Sequence, residues 1–217
     1  MRAAKQSDTI IIFAVFFFML TLELFAQTTP LEATIRNLEQ NARAPGLSVD
    51  VRRSAFVQLG QLYHLSGNLE KAAEAWTDAA FVDPEHWDLQ ALFERARCLT
   101  ALGEMDHALE SIRMLLEKTK DPALAVQARF LMARIESFHS GHASALILLL
   151  NDPAFSHYRP ALYYTIWKIS GDDQYKDTLV RRFPASPEAR IVTESNTKAD
   201  EGALWFLFPG LEGITME

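Results

Sequence analysis

Apolar residues recur at helical spacing through most of the chain, and the clearest run lies between Arg53 and His86. Phe56, Leu59 and Tyr63 stand at i, i+3 and i+7, which places them on one face of a helix. Gly60 falls inside that stripe. Its missing side chain lets a second helix come close, which offsets the cost of about 1 kcal/mol for glycine inside a helix. Gly67-Asn68 ends the first helix, because glycine takes the left-handed C′ conformation without penalty. A second helix is expected from about Leu69 to Val82. Its Ala72, Trp76 and Ala79 alternate small and large against the first, so Trp76 reads as a core plug. Pro84 stops it.

The same order returns with an offset of 36 residues in Leu92, Ala96, Leu99, Gly103, Ala108, Ile112 and Leu115. Arg95 stands where the first unit has Leu59, a departure that weakens this repeat. The unit spans 89–122 and ends at Asp121-Pro122. A third, at about 125–153, has Ala128, Leu131, Met132, Ile135 and Phe138 as an apolar stripe, Gly141 at the turn, and Ala143 to Leu150 as the second helix. A fourth, at about 157–187, has Ala161, Tyr164, Trp167 and Ile169, then Gly171-Asp172, then Tyr175, Leu179, Val180 and Phe183. The interval from turn glycine to closing proline shortens in units three and four, so their second helices are expected to lack about one turn.

The order aromatic, x2, L-G-x2-Y, then A-x3-aromatic, then Pro, carried here by Phe56, Leu59, Gly60, Tyr63, Ala72, Trp76 and Pro84, resembles the tetratricopeptide (TPR) repeat. The resemblance implies an all-α, TPR-type helix-turn-helix solenoid of about four repeats over 53–192, the later ones degenerate, that binds protein through its concave face. It also implies where a partner would touch, on a second stripe of each first helix. Here that stripe is Ser54, Val57, Gln61 and His64, then Gln90, Phe93, Arg97 and Thr100. Stacked, Val57 would lie beside Phe93 and Gln61 beside Arg97. This would suit an extended peptide or a partner helix. The family's carboxylate clamp uses Lys, Asn and Arg at such places and is not reproduced. Arg182 to Ala189 resembles the aromatic-Pro-x-Ser-x-x-Ala joint of bacterial envelope repeats, as in the Tol-Pal coordinator and the TPR lipoprotein of outer-membrane assembly.

Outside the repeats, residues 1–26 read as a secretory signal. Arg2 and Lys5 give a basic start, and Ile10 to Leu22 is an apolar run broken only by Thr21. The alternative is a retained membrane helix, against which Glu23 interrupts the run before about 20 apolar residues are reached. Residues 30–52 form an N-terminal capping helix region in which Leu31, Ile35, Leu38 and Ala42 share a face, with Ser48 or Asp50 as cap of the next helix. Residues 193–217 are a polar linker followed by an apolar tail, in which Trp205, Phe206 and Phe208 are either an anchor for a partner or a membrane surface, or a segment folded back on the repeats.

Composition narrows the function. A formal net charge of −7 without a basic face argues against nucleic acid as a partner. Cys98 is the single cysteine, so no internal disulfide or thiolate cluster can form. Within a first helix it reads as a small buried apolar residue. His139 and His142 are the closest histidine pair, yet zinc needs three or four convergent ligands. Asp172-Asp173 and Asp78 with Asp83 read as turn and solvated carboxylates. No phosphate loop, G-x-S-x-G elbow or H-E-x-x-H helix occurs. The expectation is an exported, non-catalytic, periplasmic scaffold with no cofactor and no metal. The alternatives are a membrane-tethered subunit of an envelope assembly complex and an enzyme with a cryptic His/acid site.

Overall fold

The computed structural model describes residues 30–193. The signal at 1–26 and the tail residues Trp205, Phe206 and Phe208 lie outside the described residues. Among the described residues ten α-helices follow one another: α1 (Pro30–Arg43), α2 (Val49–Leu65), α3 (Leu69–Phe81), α4 (Leu89–Ala101), α5 (Met105–Lys118), α6 (Pro122–Ser140), α7 (Ser144–Leu150), α8 (Arg159–Ser170), α9 (Asp173–Arg182) and α10 (Pro187–Thr193). A 3₁₀ helix, Pro153–Tyr158, joins α7 to α8. Each helix packs on the next, and no strand occurs among the described residues, so the fold is an all-α solenoid. No helix of the described residues is long and apolar enough to cross a membrane.

Local chemistry explains the punctuation. The glycines expected at the four turns, Gly67, Gly103, Gly141 and Gly171, all have φ between 69° and 81°, a region that costs other residues strain. Two of these turns close with the six-to-one bond of a Schellman motif, from Asn68 N to Tyr63 O and from Glu104 N to Leu99 O, both 2.9 Å. Short polar side chains open the helices: Ser48, Asn68, Asp88, Asp121 and Asp172 each accept from a backbone N–H at the start of α2, α3, α4, α6 and α9. Two boundaries therefore differ from the sequence pattern. Residues 49–52, grouped there with the cap, form the first turn of α2 because Ser48 caps it. Likewise α6 starts at Pro122, preset by its fixed φ behind the Asp121 cap.

Packing falls into three clusters. The largest joins α1 to α5 with one face of α6, through residues such as Leu59, Trp76, Leu92, Ile112 and Leu131. Phe130 and Ala133, from another face of α6, join Leu146, Phe155, Leu162 and Ile166 in the second. Buried on two sides, α6 is the joint of the array. Its Phe138 does not belong to the inner stripe as expected: it is 46 % exposed, at the end of a 19-residue helix whose partner α7 has only seven. The ten-residue α9 shows the expected loss of about one turn relative to α3 and α5, while the seven-residue α7 loses nearly two.

Arg95 does not simply weaken its repeat. Its guanidinium donates to Thr77 Oγ1 of α3 at 3.0 Å and to Ser111 Oγ of α5, so one half-buried cation ties three helices together. Burial pushes its pKa down. The 82–88 loop is likewise ordered by contacts of its own. Trp87 meets Phe81 edge-on at 5.0 Å, donates from Nε1 to Pro84 O at 3.0 Å, and lies under Lys118 at 4.4 Å.

Candidate functional site

The first helices of successive pairs do not meet in the same way along the array. α4 packs directly on α6, and α6 on α8. Between α2 and α4 there is instead a cavity of about 490 Å³. α2 contributes Val57, Gln61, His64 and Leu65, spaced so that they share a face, and α4 contributes Asp88, Gln90, Ala91, Glu94 and Arg97. Trp76 of α3 also lines it, and its ring lies against Gly60. A Cβ on Gly60 would sit 2.6 Å from Trp76 Cε2, so the close approach expected of that glycine is made to this one ring. Leu65 is 74 % exposed beside the cavity, and Val57 is half-buried. An apolar surface therefore stands open between two polar walls.

Four of the six predicted groove residues, Val57, Gln61, His64 and Arg97, line this cavity. Phe93 and Thr100 do not. Phe93 is 1 % exposed and belongs to the core, since α4 packs directly on α6 where α2 is set apart from α4 by the cavity. Thr100 is buried and donates from Oγ1 to Ala96 O at 2.8 Å, the back-bond that hydroxyl side chains make inside helices. Arg97 is at the site but is not a simple exposed residue. It is 8 % exposed, and its Nη1 donates to both carboxylate oxygens of Glu94 at 2.8 and 3.0 Å. Gln90 Nε2 donates to the same Glu94 at 3.2 Å. Sequence spacing missed Glu94 as a wall residue, although Gln90, Glu94 and Arg97 stand at i, i+4 and i+7.

The titratable groups here are poorly placed for chemistry. Burial, and then the Arg97 charge, push the His64 imidazole down from its ordinary range. Its Nδ1 lies 3.8 Å from Cys98 Sγ. A cysteine–histidine pair would act as a nucleophile only with the thiol ionised. Cys98 is fully buried, and burial, seconded by Glu94, pushes its thiol up to about 12. It is the small core residue the sequence suggested. His139 and His142 are both exposed, and among the described residues no three His, Cys, Asp or Glu side chains converge as metal ligands.

A second cavity, of about 230 Å³, lies among α1, α2 and α3, and half of its lining is charged: Glu39, Arg43, Lys71, Glu74 and Asp78. Tyr63 donates from its hydroxyl to Glu39 Oε1 at 2.7 Å, and burial together with that carboxylate pushes the phenol up to about 12. This cavity joins the capping helix to the first repeat. It offers little open apolar surface.

Over residues 139–216 the chain is similar to a family described as the TP_0752_M middle domain. That stretch begins at the end of α6, takes in α7 to α10 and continues beyond the described residues. The α2–α4 cavity lies wholly outside it. No curated protein matches the chain.

Proposed function

We propose that the protein is an exported, non-catalytic scaffold of tetratricopeptide type that binds an extended segment or helix of another protein between α2 and α4. The observation that carries this reading is the cavity itself, where Val57, Leu65 and Trp76 leave apolar surface open beside the amides of Gln61 and Gln90. Helical repeats bury such surface by stacking, so a gap between two first helices is a place for an added strand or helix. The non-catalytic reading is supported by the sealed Cys98 thiol and the dispersed histidines. A photo-crosslinking side chain at Gln61 should capture a partner that the same group at Arg113, exposed on α5, does not. The product should persist when the chain ends at Lys198. A product formed only with the full chain would move binding to the tail, and an internal product mapped to Trp205–Phe208 would make the cavity a seat for that tail.

Export rests on residues 1–26, and the periplasm as destination rests on the resemblance of the Arg182–Ala189 joint to envelope repeats. N-terminal sequencing of the mature protein is expected to begin at Gln27. A chain that still carries residues 1–26 would instead favour the membrane-tethered subunit.

A further inference from the structure

Resting on the reading of the α2–α4 cavity as a binding site, the charges around it restrict what it takes. Three ionised groups line it: Asp88, Glu94 and Arg97. Glu94 and Arg97 neutralise each other at 2.8 Å with little exposure of either side chain. Asp88 is different. Its Oδ1 accepts from Ala91 N at 3.0 Å as the cap of α4, and among the described residues no cation is paired with it. The first turn of α4 offsets about half a charge through its dipole. At that end Arg53 of α2 donates from Nη2 to His86 O at 2.7 Å and has the Asp50 carboxylate at 4.0 Å, so its charge is matched there and the Asp88 carboxylate is left at one end of the cavity, while the middle is apolar and the other end is neutral.

The dimensions set the length of the occupant. Asp88 to Arg97 spans nine residues of helix, about 13.5 Å at 1.5 Å each. An extended chain at about 3.3 Å per residue covers that with roughly four residues. We propose that the cavity takes an extended peptide of about this length, with an apolar side chain over Val57, Ala91 and Trp76 and a lysine or arginine at the Asp88 end. Gln61 is exposed and can meet the peptide backbone with both its donor and its acceptor. An acidic segment is disfavoured by Asp88 and by the chain's overall charge of −7.

The test uses the full mature chain and labelled peptides that share an Ala-Leu-Ala-Leu centre and carry Lys-Lys, Ser-Ser or Glu-Glu at one end, each made in both orientations. Fluorescence anisotropy at low salt should rank the lysine peptide tightest and the glutamate peptide weakest. Steps of about two- to fivefold are expected, the size of an exposed charge pair, and they should shrink at high salt. Asp88→Asn keeps a good helix cap and removes only the charge. It should bring the lysine peptide to the affinity of the serine peptide and leave the melting temperature unchanged. Leu65→Ser should weaken all three together. Equal binding of the three, glutamate first, or a lysine preference that survives Asp88→Asn would overturn the charge inference while leaving the cavity a binding site. Failure of every peptide to bind would overturn the binding-site reading itself.

Discussion

Trp76→Ala is expected to lower the unfolding free energy by about 3–5 kcal/mol, the usual cost of deleting a buried aromatic, as read by urea denaturation of the mature chain. Trp76 is buried, and its ring faces Gly60, where a Cβ would sit at 2.6 Å from it. Gly60→Ala should therefore also destabilise. Alanine gains about 1 kcal/mol of helix propensity, but overpacking a fixed ring costs about 1–3 kcal/mol, and Cε2 and Cδ2 are interior ring atoms that cannot swing away. The second repeat shows how the two positions compensate. At the equivalent places it has Ala96 and Ile112, both fully buried, so a larger residue on the first helix accompanies a smaller one on the second. The double change Gly60→Ala with Trp76→Ile should thus lose clearly less than the sum of Gly60→Ala and Trp76→Ile alone, with a coupling of about 0.5–3 kcal/mol. Additive losses, or a Gly60→Ala variant as stable as the parent, would mean that close approach is not what glycine provides here.

That pair was legible in the sequence because both its partners are local. Helix-turn-helix units announce themselves through spacing, turn glycines and caps, and Phe56, Leu59, Tyr63, Trp76, Ile112 and Leu115 all lie buried where those signals place them. The site was only half legible, for a reason of position rather than type. Val57 and Phe93 are equivalent in the repeat, yet a cavity separates α2 from α4 while α4 packs directly on α6, so Val57 lines the cavity and Phe93 is core. Spacing records which face of its own helix a residue occupies. It does not record how many neighbours that helix has. Arg95 shows the same limit, since nothing near it in sequence announces the hydroxyls of Thr77 and Ser111 that receive it.

The least legible feature should also be among the costliest to break. Arg134 follows Leu131 and Ala133 on α6 and would be assigned by polarity to solvent, but it is 1 % exposed. Burial pushes its pKa down to about 9, and the Glu188 carboxylate of α10 is the charge that acts against this. Its Cζ also lies 5.4 Å from the Phe130 ring centre. Glu188 is itself only 9 % exposed, although α10 is a seven-residue helix that could not persist alone. Through this attraction Arg134 couples α6 to α10, the last helix among the described residues. Removing one partner from a buried ion pair typically costs about 3–5 kcal/mol, because the other charge remains in low dielectric without compensation. Glu188→Gln keeps the shape and removes the charge, so it should produce a loss of that order in thermal and urea unfolding, with early amide exchange in α10. Replacing both, as Arg134→Met with Glu188→Leu, should restore stability to the parent value or exceed it by about 1–4 kcal/mol, since neither charge is then left to desolvate. If Glu188→Gln melts with the parent while α10 stays protected, the coupling of these two charges is not what holds the last helix to α6.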